Sequence, residues 1–165
     1  MIIGEEEIPN ERALLTQEDG PMMASSASVK YIVIHCSATR STRDYTAEQL
    51  LRDHKTRGFS TVGYHFYIRR DGSVTQHRKL LEVGAHCRPW NRCSIGICYE
   101  GGLDADGRPA DTRTPEQTEQ FILLLMRMVK IFPGVRIRGH RDMPGSIPKA
   151  CPCFDAEGVF GYLEK

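Results

Sequence analysis

The sequence predicts an α/β fold, a single mixed β-sheet of about five or six strands flanked by helices. Three observations predict it. Short β-branched or alternating runs recur along the chain: YIVIH at 31–35, VGYHFYIRR at 62–70 and SIGICYEGG at 94–102. Between and after them lie two segments with strong helix-start chemistry, at Thr46 and at Thr114. The length, 165 residues, is enough for one domain with a real core and too little for two ordinary ones.

Residues 1–28 show no convincing apolar period, and Pro21 with the serine-rich stretch 25–28 reads as a linker. They are either a flexible N-terminal extension of a domain spanning 29–165 or a short arm packed on it. The stretch is acidic and lacks the basic start and apolar centre of a secretory signal. The expectation is a cytoplasmic protein, or one that leaves the cell by a route other than a cleaved signal.

YIVIH has the pattern of a buried strand. Thr46 and Gln49 form a capping box that opens a helix to about Arg57, with Gly58 as its stop and Leu50 and Leu51 on its apolar face. VGYHFYIRR is the next strand, Asp71-Gly72 the hairpin turn, and SVTQHR (73–78) its partner. SIGICYEGG is a further strand ending in a glycine pair, followed by a loop over 103–113. Thr114, Pro115 and Gln117 supply cap, first-turn proline and box glutamine for a second helix. That helix runs through FILLLMRMVKIF (121–132), apolar on nearly every side, and Pro133-Gly134 ends it. VRIRG (135–139) is a last short strand, and 155–163 a terminal helix.

Composition narrows the function. Apolar residues make up 40% and charged residues 26%, which excludes disordered and fibrous classes. A net charge of +1 gives no field for nucleic acid or a membrane surface, and no apolar run approaches the roughly 20 residues of a membrane span. The six cysteines are too few and unevenly spaced for a disulfide scaffold, so burial, metal or catalysis accounts for them. Cys87 and Cys93 are close enough for a local bridge in an oxidising setting.

Two histidines, His35 and His140, end short strands, and Cys151 lies shortly after the second. Two strand-end imidazoles and one thiolate make a three-ligand zinc site with a position open for water, unlike the locally paired ligands of a zinc finger. Strand alternation turns Cys36 away from His35 and into the core, and likewise turns His65 away from Tyr64. Cys153 is a competitor for the metal or a disulfide partner of Cys151. His54 and His77 read as surface residues, and Cys98 as core.

The motifs VIHCSAT (33–39), GYHFYIRRDG (63–72), GAH (84–86), SIGICYEG (94–101), GHRD (139–142) and KACPCFD (149–155) stand in one order. Together they resemble the N-acetylmuramoyl-L-alanine amidase family that includes phage lysozyme-type amidases and peptidoglycan recognition proteins. The resemblance covers roughly residues 30–160. It implies the fold of that family, Zn2+ as cofactor on His35, His140 and Cys151, and peptidoglycan or muropeptide as substrate, in a monomer. Tyr64 then sits beside the metal, Lys149 stabilises the oxyanion, and Glu100 is a candidate acid/base. His86, Arg88, Trp90 and Arg141 are candidate groove residues. Arginine suits the carboxylates of a stem peptide. The segment MPGSIP (143–148) reads as an insertion between ligands. The resemblance also includes members that only bind peptidoglycan and lack the zinc cysteine; retention of Cys151 favours catalysis. A cysteine hydrolase built on Cys36 or Cys153 is the third reading. Release to the cell wall through a holin-type pore fits the absence of a recognisable signal.

Overall fold

The structure is a computed structural model that describes residues 21–146 and 149–165. The rest of the predicted N-terminal extension, 1–20, and the end of the MPGSIP segment, 147–148, lie outside the described residues. In chain order the elements are β1 (Tyr31–Cys36), β2 (Thr39–Arg40), α1 (Ala47–Thr56), β3 (Phe66–Ile68), β4 (Val74–Gln76), β5 (Ser94–Tyr99), β6 (Gly102–Leu103), α2 (Pro115–Ile131), β7 (Arg136–Gly139) and α3 (Ala156–Phe160). Five strands form one mixed sheet in the order β4-β3-β5-β1-β7. All neighbours in it are parallel except β3 and β4. β2 and β6 pair as a small parallel extension beyond β1 and β5.

Alternation along β1 divides the molecule. Ile32, Ile34 and Cys36 point to one face, where they pack with Phe121, Leu124, Leu125 and Met128 of α2 and Phe160 of α3. Val33 and His35 point to the other. There α1 packs through Leu50 with Val62, Tyr67 and Cys98. The first face is the main apolar core, and the second carries smaller apolar clusters together with loops and polar side chains. Cys36 and Cys98 are both buried.

Local chemistry places both long helices. Thr46 Oγ1 accepts from Gln49 N and Thr114 Oγ1 from Gln117 N, each with the return bond from the glutamine. α2 is amphipathic rather than apolar all round, because Met126 is 53% exposed and Glu119 and Lys130 face water. The strand predicted over 62–70 pairs as a regular ladder only at Phe66–Ile68. Before it, Gly63 N–H donates to His54 Nδ1 and Gly63 carbonyl accepts from Ala85 N–H, so the backbone there is tied to a side chain and a loop. At the start of the described residues the chain lies against the domain: Met22 bridges Glu82, and Met23 is buried with its N–H on the Leu81 carbonyl at 2.8 Å. Among the described residues no helix is long and apolar enough to cross a membrane.

Candidate metal centre

Three segments far apart in sequence converge at the end of β1. His35 comes from β1, His140 opens a 3-10 turn directly after β7, and Cys151 lies on the following loop. One donor atom from each lies within 4.8 Å of the others. The His35 and His140 rings are 4.5 Å apart, and His35 Nδ1 is 4.0 Å from Cys151 Sγ. The loop is anchored at both sides. Cys36 N–H points at Cys151 Sγ at 3.3 Å, and Arg141 N–H donates to the Cys151 carbonyl at 2.9 Å. β1 pairs with β7 up to Ile34↔Gly139, which brings the two histidines side by side.

A tetrahedral zinc with nitrogen and sulfur ligands holds its donor atoms roughly 3.3–3.6 Å apart, so this cluster needs only a small closure to hold one. Two imidazoles and a thiol are also the donor types zinc selects. Burial, then the neighbouring His86 and His140, hold the His35 pKa well below the usual imidazole range, leaving it neutral and able to ligate.

The remaining predicted residues separate into groups. The Tyr64 ring is 4.9 Å from His35 and 5.5 Å from His54, with its hydroxyl hydrogen-bonded to Cys98. Burial raises its phenol pKa well above the ordinary value. Lys149 is exposed, and its charge reaches His35, where it adds to the depression of that pKa. Arg88 and Arg141 are exposed. Trp90 is partly buried: Nε1–H donates to the Pro144 carbonyl at 2.8 Å and the ring meets Tyr31 edge-on at 5.5 Å. His86 is hydrogen-bonded to His35 itself, at 2.9 Å.

Glu100 requires a correction. It is 1% exposed, and both carboxylate oxygens are occupied. Oε1 accepts from Arg69 Nε (3.1 Å) and Arg70 N–H (2.9 Å); Oε2 accepts from Arg69 Nη2 (3.1 Å) and Tyr45 N–H. A carboxylate held by four donors, two of them from one arginine fork, is a structural anchor, not a proton shuttle. Cys153 is not in the donor cluster. Its sulfur lies 3.9 Å from Cys36 Sγ, and its backbone takes φ 69. Cys87 and Cys93 are free thiols, so no bridge joins them.

The histidines expected at the surface also behave differently. His54 is 6% exposed, and His77 is partly buried with its Nε2 left unpartnered. His65 is fully buried: Nδ1 accepts from Gly96 N–H (3.0 Å) and Nε2 donates to the Glu82 carbonyl (2.7 Å). Its ring is 6.0 Å from His86, so both Tyr64 and His65 border the site instead of facing opposite ways. The reason is that β3 begins only at Phe66.

Burial pushes the pKa of His54 and of His65 down to about 4. Each Nδ1 accepts a backbone N–H and cannot be protonated without losing that bond. Above pH 6.5 both are neutral folded or unfolded. As pH falls from 6.5 to 4, the unfolded chain takes up protons that the folded one refuses, so stability declines. The loss is roughly 3 kcal/mol at most per histidine. Denaturant midpoints of metal-free protein at pH 7, 5.5 and 4 should fall steadily; a flat profile would contradict the buried neutral histidines.

Comparison with known proteins agrees with this geometry. The family model described as N-acetylmuramoyl-L-alanine amidase matches residues 25–154. An endolysin of Klebsiella phage KP32 is 41% identical over 124 residues, covering 75% of this chain and 80% of the relative. The endolysin amidase LysCS from Clostridium intestinale superposes with a TM-score of 0.70 at 25% identity, covering 90% of this chain and 94% of that one. Bumblebee PGRP-SA shares the fold with a TM-score of 0.69 at 21% identity, covering 98% and 93%. With a family match over most of its length and close relatives covered over most of theirs, this chain belongs to the N-acetylmuramoyl-L-alanine amidase family and is an amidase.

Proposed function

We propose that the protein hydrolyses the amide between the lactyl group of N-acetylmuramic acid and L-alanine in peptidoglycan, with a zinc ion held by His35, His140 and Cys151. The observation that carries this is the convergence of their three donor atoms within 4.8 Å, at the end of β1. Three protein ligands leave a fourth position open, as a catalytic zinc requires. A zinc ion bound there supplies a Lewis acid and lowers the pKa of water to about 7.

The chain's own residues do the rest. Lys149 places a cation beside the cluster, where it offsets negative charge developing on the substrate carbonyl oxygen. Tyr64, kept protonated by burial, packs its ring against His35, and its hydroxyl orients the substrate by turning from Cys98. Arg88 and Arg141 offer guanidinium forks for stem-peptide carboxylates. Trp90, fixed by its bond to Pro144, offers an indole for a sugar face. The likeness to phage endolysins supports intact cell wall as the substrate and a bacteriolytic role.

The test is to incubate intact peptidoglycan and soluble muropeptides separately with zinc-loaded and chelator-treated protein, then quantify newly exposed L-alanine amino termini. Release from intact wall, its loss on chelation and its return with zinc are expected. A folded, zinc-loaded protein that cleaves neither substrate would overturn the reading. Tight binding without cleavage would put a peptidoglycan recognition module in its place.

A further inference from the structure

Behind the metal centre runs a hydrogen-bond chain that, with both imidazoles neutral, only one set of proton positions satisfies. It is legible from its far end. Ser94 Oγ lies 2.7 Å from the Trp90 carbonyl, which has no proton to give, so the Ser94 hydroxyl proton goes there. Ser94 Oγ is then left as acceptor toward His86 Nε2 at 3.3 Å. With its proton on Nε2, neutral His86 presents a lone pair at Nδ1, which faces His35 Nε2 at 2.9 Å. His35 therefore carries its proton on Nε2 and keeps the Nδ1 lone pair free. That Nδ1 is the atom facing Cys151 Sγ.

The slot is shaped for the His86 ring. A Cβ at Gly84 would stand 2.7 Å from His86 Cδ2, and one at Gly96 2.8 Å from Cγ. Only glycine fits at either place. Asn91 Oδ1 accepts from both His86 N–H (2.9 Å) and Cys87 N–H (2.8 Å), which fixes the backbone that carries the ring.

We infer that His86 is a positioning residue for the metal ligand His35, rather than the groove residue expected from sequence. It holds the imidazole in the one tautomer and orientation that present Nδ1 to the centre. Ser94 and the Trp90 carbonyl set the direction of the chain. Histidine ligands are commonly held this way through their second nitrogen. The inference rests on the zinc site of the proposed function.

Two measurements test it. In metal-free wild-type protein, long-range nitrogen–proton NMR spectra of the imidazoles should show His35 and His86 both protonated at Nε2; His35 protonated at Nδ1 would overturn the inference. Zinc affinity is then measured by competition with a chromogenic chelator for wild type, His86→Ala and His86→Asn. Alanine should weaken binding by about 10–100-fold. Asparagine, whose Oδ1 takes the place of Nδ1 as acceptor, should restore most of it. Equal affinity in alanine variant and wild type, or equal loss in both variants, would overturn the positioning role while leaving the zinc site standing. A wild type that binds no zinc would overturn the zinc site itself, and the positioning role with it.

Discussion

Cys151→Ser is expected to abolish stoichiometric zinc binding and reduce peptidoglycan cleavage to the no-enzyme background, whereas Cys153→Ser is expected to retain both. The two cysteines are separated by one proline, and the sequence alone leaves either able to reach the histidines. The fold distinguishes them. Cys151 Sγ is within the donor cluster and receives the Cys36 N–H, which fixes the sulfur beside the two histidines. Cys153 turns its sulfur toward Cys36 Sγ instead. Serine removes the soft sulfur donor at either position while nearly preserving volume, so the comparison isolates ligation. Zinc content by atomic absorption and L-alanine release assays decide it. Loss of zinc in the Cys153 variant with retention in the Cys151 variant would reverse the assignment.

The second large effect falls on stability. Glu100→Ala should lower the unfolding free energy by about 3–5 kcal/mol, at the low end of that range because Arg69 keeps some access to water. The substitution leaves the Tyr45 and Arg70 N–H groups without their acceptor and removes the partner of the Arg69 guanidinium. The same carboxylate joins the start of α1 to β3 and β5, and Gln117 of α2 ties the Glu100 carbonyl to that of Ile68. Activity per folded molecule should survive, measured at low temperature with the folded fraction set by circular dichroism. An unchanged thermal midpoint with lost activity would return Glu100 to the chemistry and refute its role as anchor.

Much of this protein was determined by the sequence alone, wherever the physics is local. The starts of α1 and α2 follow from Thr46 with Gln49 and from Thr114 with Pro115 and Gln117, because a cap is completed within four residues. The α/β class follows from the spacing of short strands and capped helices. His35, His140 and Cys151 were legible because a family motif surrounds each, and β1 alternation alone separated His35 from the core-facing Cys36. Only the tertiary structure decided what depends on partners distant in the chain. The order β4-β3-β5-β1-β7 sets His35 beside His140 through a pairing of strands about a hundred residues apart. It gives Glu100 to Arg69, His86 to His35 and the Cys153 sulfur to Cys36. A buried polar side chain must find a partner, and its own sequence neighbourhood does not say which one the folded chain will bring into contact.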